Sequence, residues 1–207
     1  MEEIPVQVFI VDDESDVAEG LVWLLDSIKV PSRVFTSATP FFHAMREVRG
    51  PVCAVLDLRM PEMSGLEIQK RLVDEGLSIP LFFLSAHGDI PAAVNAMQLG
   101  AVDFLQKPFN PQSFLDAVNR IQRLARDSYA QRMQEGQLQR RLDKLSAREL
   151  EVMNALLKGR TSKEIARILD ISPKTVDVHR ANVFRKLEVS GTAELLRLMS
   201  DRGVPAG

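Results

Sequence analysis

Val8-Phe9-Ile10-Val11-Asp12-Asp13 carries four apolar residues straight into two carboxylates. Two later stretches share the pattern: Ala54-Val55-Leu56 ends in Asp57, and Phe104-Leu105-Gln106 ends in Lys107-Pro108. Short apolar runs bounded by polar residues read as strands buried on both faces, as in a parallel sheet. Ligands of open α/β sheets gather where such strands end. If these strands are neighbours, three carboxylates and one ammonium meet at one rim. Crowded carboxylates must protonate or bind a cation, and an all-oxygen cluster suits Mg²⁺. A spare carboxylate beside a metal and a lysine can hold a phosphoryl group.

Around these three stretches the first ~118 residues alternate between two patterns. Strands are expected at 6–11, 32–35, 52–57, 80–85 and 102–106. Amphipathic helices are expected at 15–28, 39–48, 65–75 and 90–99, the first burying Val17, Leu21, Leu24, Leu25 and Ile28. A fifth helix opens at Asn110-Pro111, an N-cap followed by a first-turn proline. Five such units predict a doubly wound parallel sheet. Right-handed crossovers then bring every strand's carboxyl end to one rim. Phe114, Val118, Ile121 and Ala125, then Tyr129 and Met133, carry the fifth helix on towards Lys144.

From Leu145 the chain changes to short helices with strong start signals. Ser146-Ala147-Arg148-Glu149 and Thr161-Ser162-Lys163-Glu164 are capping-box patterns. Gly159 falls where the first of these helices ends. Ser172-Pro173 opens a third helix, and a fourth follows Gly191 with Leu195, Leu196 and Met199 inward. In the third, Val176, His179, Val183 and Leu187 recur at core spacing. Lys174, Asp177, Val178, Ala181 and Arg185 share the opposite face.

Charge divides along the same line. Residues 1–118 hold 8 Lys+Arg against 17 Asp+Glu, a net −9, and residues 119–207 hold 18 against 11, a net +7. The basic part is a candidate for polyanion binding. The single Cys53 lies in an apolar run and cannot form an internal disulfide, as expected in a reducing cytosol. Met1-Glu2-Glu3 is acidic where a secretory signal is basic, and no apolar run approaches the ~20 residues of a membrane helix. A cytoplasmic protein without membrane attachment is expected.

Four separated motifs carry a family resemblance: Val11-Asp12-Asp13-Glu14, then Leu56-Asp57-Leu58-Arg59-Met60-Pro61 through Gly65, then Ser85-Ala86-His87-Gly88-Asp89, then Gly100-Ala101-Val102-Asp103-Phe104 through Lys107-Pro108-Phe109. Together they resemble the receiver domain of bacterial two-component response regulators, most closely the FixJ branch of the FixJ/NarL family. The resemblance implies a flavodoxin-like fold with strand order 2-1-3-4-5. It makes Asp57 the acceptor of a phosphoryl group from a sensor histidine kinase. Asp13, Asp57 and the Arg59 carbonyl would hold Mg²⁺ (or Mn²⁺), with Asp12 joining through water. Lys107, aimed by a cis bond to Pro108, would neutralise a phosphoryl oxygen. Ser85 would take another and make room for Phe104, a two-state switch. Arg59 and His87 lie beside the site and would tune phosphoryl lifetime.

Residues 145–200 resemble the LuxR-type helix-turn-helix output domain through Leu145-Ser146-Ala147-Arg148-Glu149, Lys163-Glu164-Ile165-Ala166, Lys174-Thr175-Val176 and Val178-His179-Arg180-Ala181-Asn182. The resemblance places base reading on Asp177, Val178 and Ala181. Lys174, Thr175, Arg185 and Lys186 are then suited to phosphates, and the last helix to a dimer contact. The expected layout is a receiver over 1–122, a helical linker over 123–143 continuing its fifth helix, and an all-α four-helix DNA-binding domain over 144–207. Promoter DNA and RNA polymerase are the implied partners, a homodimer the phosphorylated form, and activation the output. Two other readings fit parts of the sequence: a DNA-binding regulator with a phosphate-independent scaffold receiver, and a Mg²⁺ phosphohydrolase of the haloacid-dehalogenase type. The latter wants an Asp where Arg59 stands and leaves residues 145–200 without a role.

Overall fold

The computed structural model describes residues 4–86 and 90–200. The chain divides into two compact units, Met1–Gln131 and Arg132–Gly207.

In the first unit, strands and helices alternate as β1 (Gln7–Val11), α1 (Ser15–Ser27), β2 (Ser32–Phe35), α2 (Ala38–Glu47), β3 (Val52–Asp57), α3 (Gly65–Asp74), β4 (Leu81–Ser85), α4 (Ile90–Gln98), β5 (Asp103–Gln106) and the start of α5 (Pro111–Leu142), which runs on past Gln131. The five strands are parallel, in the order β2-β1-β3-β4-β5. Side chains alternate across a strand, so each apolar run supplies two cores. Phe9, Val11, Ala54, Leu56 and Phe83 pack with Phe41, Ile68 and Leu72 on one face. Val8, Ile10, Cys53, Val55, Phe82 and Leu84 pack with Leu21, Leu25, Phe114 and Ile121 on the other. Burial drives the Cys53 thiol up to about 12, so it stays a protonated core residue.

Register builds the rim. Val11 pairs with Leu56, Asp57 with Leu84, and Ser85 with Gln106. The next residues along, Asp12 beside Asp57 and Lys107 just past Ser85, therefore leave the sheet together.

Two expectations about helix faces are refined. Ile28 leaves the buried stripe of α1 and is exposed, because the helix stops at Ser27 and Lys29 takes a left-handed φ of 56°. Phe114, Val118, Ile121 and Ala125 of α5 are buried, whereas Met133 is exposed. Tyr129 is the last of that series to engage the first unit, its hydroxyl donating to the Arg49 carbonyl at 3.1 Å.

The second unit contains α6 (Ala147–Leu157), α7 (Ser162–Leu169), α8 (Pro173–Leu187) and α9 (Thr192–Ser200). Both expected capping boxes form, Ser146 with Glu149 and Thr161 with Glu164, and the Ser172 side chain accepts from the Thr175 amide. Val152, Leu156, Ile165, Val176, Val183, Leu187, Leu195 and Met199 make one core. Leu195 and Met199 are thus spent inside the unit, while Leu196 and Leu198 are half-buried and Ala193, Glu194 and Arg197 exposed.

Candidate functional site

At the sheet rim, Lys107 bridges two buried carboxylates. Its ammonium lies 2.7 Å from Asp57 Oδ1 and 2.8 Å from Asp12 Oδ2. Asp57 is 6% exposed and Asp12 1%, and the lysine side chain is 13% exposed. The remaining oxygens take backbone donors: Arg59 N–H to Asp57 Oδ2 at 2.7 Å, and Glu14 N–H to Asp12 Oδ1 at 2.9 Å. Lys107 is aimed from below by its own amide, which donates to the Ser85 carbonyl at 2.7 Å. The Lys107–Pro108 bond is cis, as expected from the sequence.

Electrostatics follows from burial. Desolvation raises the Asp57 pKa, and the Lys107 and Arg59 donors only partly oppose it, with Asp12 adding to the rise. Burial pulls the Lys107 pKa down, but its bonds to Asp12 and Asp57 outweigh this and leave it raised. The site therefore holds one firmly charged ammonium and a carboxylate that ionises at a cost.

Asp13 is not drawn into this cluster. It is exposed and lines a neighbouring cleft with Thr36, Ser37, Met60, Glu62 and Met63. Among the described residues, no three of Asp, Glu, His and Cys come together as a metal-binding group. The donors at the rim are nonetheless all hard oxygens, the chemistry that Mg²⁺ takes. Ser85 is buried beside the site. Phe104 is half-buried, its ring centroid 6.4 Å from that of Phe83. His87 lies outside the described residues.

Two contributors escape a reading by sequence. Gly65 opens α3 with its amide donating to the Leu58 carbonyl at 3.1 Å. An ideally placed Cβ there would stand 2.3 Å from the Asp57 carbonyl oxygen, so only glycine lets α3 start so near the acceptor backbone. Arg120 donates to Asp103 at 2.8 Å, tying α5 to the start of β5. The first could be sought in a glycine directly after an N-cap serine; the second leaves no local signal.

In the second unit, Lys174, Thr175, Asp177, Val178, Ala181 and Arg185 all lie exposed along α8, with Val178 56% exposed. Lys186 does not join them. Its ammonium is bound to Glu149 Oε2 and to the Lys144 carbonyl. Buried Glu149 needs a counter-charge, and its pKa is lowered chiefly by the Lys186 bond, so the ammonium expected to serve phosphates is engaged within the unit. His179 is half-buried, with Nδ1 enclosed and lacking a hydrogen-bond partner among the described residues. Arg180 and Ser162, not singled out from the sequence, bond to each other at 2.6 Å.

Both halves match known families: the response regulator receiver domain over residues 8–119 and the bacterial regulatory proteins of the luxR family over 143–199. The chain is similar to the response regulator protein TmoT of Ectopseudomonas mendocina, 41% identical over 92% of this chain and 86% of that protein. It is 40% identical to the transcriptional regulatory protein FixJ of Rhizobium meliloti, over 92% and 93% respectively. Among solved structures, the response regulator StyR is similar at 39% identity, with a TM-score of 0.85 over 96% of this chain and 100% of that one. Among the described residues, no helix is long and apolar enough to cross a membrane. A five-stranded sheet ending in a lysine-bridged carboxylate pair, followed by a four-helix module of luxR type, makes the chain a DNA-binding two-component response regulator of the FixJ/NarL family.

Proposed function

We propose that Asp57 is the phosphoacceptor and that its modification by a sensor histidine kinase turns the protein into a dimeric transcription activator. The observation that carries this reading is the Lys107 bridge, which holds the Asp57 carboxylate at the sheet rim beside a positive charge. An Asp57 oxygen attacks the phosphorus of the kinase phosphohistidine. The P–N bond breaks, its electron pair goes to the imidazole nitrogen, the ring takes up a proton from solvent as it leaves, and an acyl phosphate remains on Asp57. Lys107, freed from Asp57 Oδ1, then pairs with a phosphoryl oxygen. Asp13, Asp57 and the Arg59 carbonyl are the residues to hold Mg²⁺ (or Mn²⁺), supported by Asp12. When bound, the ion supplies the neutralisation that lets an anion approach a carboxylate.

Ser85 bonding a phosphoryl oxygen would draw its loop inward and let the Phe104 ring turn in, a bistable packing event biased by charge. Its readout is the face of α4, where Ile90, Val94 and Met97 are exposed, Ile90 by 74%. Two such faces would bury this apolar surface together. DNA is taken by α8, with Val178 and Ala181 against thymine methyls and Asp177 accepting from cytosine N4. Lys174, Thr175 and Arg185 contact phosphates and make affinity fall with salt. RNA polymerase would be recruited at the promoter so bound.

Incubation with radiolabelled acetyl phosphate and Mg²⁺ is expected to place acid-stable, base-labile label on the chain, lost in Asp57→Asn. An unlabelled wild-type chain that still binds DNA would favour a phosphate-independent scaffold receiver. Separately, sedimentation with beryllofluoride, a phosphoryl mimic, is expected to show conversion from monomer to dimer, abolished by Ile90→Asp. A single monomeric species throughout rejects the dimer face.

A further inference from the structure

The carboxylate of Asp177 is not a loose surface group. Its Oδ1 accepts from Ser162 Oγ at 2.9 Å, across from α8 to the first residue of α7. Ser162 Oγ in turn accepts from Arg180 Nη1 at 2.6 Å. The same guanidinium nitrogen lies 3.6 Å from Asp177 Oδ1. A serine hydroxyl has one hydrogen, and a guanidinium can only donate. The direction of the chain is thereby settled: Arg180 to Ser162 to Asp177. Arg180 is itself held, its guanidinium carbon 5.8 Å from the Phe184 ring centroid and its Nε buried. Asp177 Oδ2 makes no hydrogen bond among the described residues and is left as an acceptor on an exposed side chain.

We propose that Arg180 and Ser162 are positioning residues for base selection: they lock Asp177 in one rotamer so that a single carboxylate oxygen meets the DNA. This rests on the reading of α8 as the helix that enters the major groove. Two physical consequences support the role. A carboxylate free to rotate offers either oxygen over a wide arc and discriminates weakly between neighbouring exocyclic amines, whereas a fixed one sets both height and direction of the acceptor. A lone carboxylate approaching a polyanion is also repelled, and the Arg180 charge beside it offsets that repulsion. Arg180 thus makes an acidic base contact tolerable without touching a base itself.

The test is selection of a randomised duplex library by the full-length chain, comparing wild type with Asp177→Ala, Ser162→Ala and Arg180→Met, read as base preference at each position. Melting temperature and affinity for a scrambled duplex are measured alongside. Asp177→Ala is expected to reduce preference at one base pair per half-site by about tenfold. Ser162→Ala and Arg180→Met are expected to flatten that same position, leaving the others, the melting temperature of Ser162→Ala and its scrambled-duplex affinity near wild type. The inference is overturned if Asp177→Ala flattens the position while Ser162→Ala keeps it sharp. It is equally overturned if Ser162→Ala weakens all positions together with a lowered melting temperature, the mark of a fold-holding role. Should Asp177→Ala change no position, the base-reading assignment of Asp177 fails instead, a result separable from the other two.

Discussion

A Lys107→Met chain is expected to lose about 3 kcal/mol of stability at neutral pH, the low end for unpairing a buried ion. The substitution keeps the apolar stem, so the loss is electrostatic. Asp12 Oδ2 and Asp57 Oδ1 would each lose an ammonium donor, leaving Asp57 with the Arg59 amide and Asp12 with the Glu14 amide. The pH dependence has a definite sign. The Lys107 pKa is raised, so its contribution holds through neutrality and is lost only as pH climbs through that raised value. The Asp57 pKa is raised as well, so the folded state favours its protonated form: that contribution is present in acid and lost as pH rises through the raised value. Removing Lys107 takes away its opposition and pushes Asp57 higher still. The deficit of the mutant should therefore be widest near neutrality and narrow as the solution is acidified into the carboxylate range. Urea unfolding of both chains across that range measures it. A deficit that stays constant with pH would mean that the bridge is not what the loss reports.

Much of this site was legible because it is written in local pattern. Each strand announces itself by an apolar run, and each run ends where its functional residue begins, so Asp12, Asp57 and Lys107 follow once parallel pairing is assumed. Caps were equally legible, since Ser146 to Glu149 and Thr161 to Glu164 need only a spacing of three. What escaped was decided by contacts between elements distant in sequence. Lys186 has the periodicity of a helix surface, but Glu149 from α6 claims it. Ile28 fits the apolar stripe of α1, yet a turn at Lys29 ends the stripe one residue early. Asp177 was legible as an exposed acid, while the Ser162 and Arg180 bonds that orient it cross 15 and 18 residues and a helix boundary. Asp13 shows the same limit: adjacency to Asp12 says that it is near the rim, not which way it faces.

Gly65→Ala and Gly20→Ala are expected to move stability in opposite directions, although both put alanine into a helix. By propensity alone Gly20, inside α1, should gain, since glycine in a helix interior costs about 0.5–1 kcal/mol relative to alanine, and Gly65, at the first position of α3, should at least not lose. Gly20 lies in α1 with no atom within 4 Å of an added Cβ, so the gain should be realised there in full. Gly65 meets the opposite surroundings. Its Cβ would stand 2.3 Å from the Asp57 carbonyl oxygen and 2.8 Å from Phe83 Cε1. The first contact is with backbone and the second with a ring that is itself fully buried, so neither can yield cheaply. Overpacking of this kind costs about 1–3 kcal/mol, and the upper end applies where backbone must shift. The shift is also imposed on the acceptor, because the atom that is struck belongs to Asp57. Misplacement by about 1 Å can cost on the order of a hundredfold in rate. Gly65→Ala should therefore take label from acetyl phosphate at least about tenfold more slowly than wild type, under conditions where it is still fully folded. Gly20→Ala should label at the wild-type rate while unfolding at higher urea. A Gly65→Ala chain with wild-type stability and labelling would show that α3 can start elsewhere, and that its approach to the acceptor strand is not what sets the geometry of Asp57.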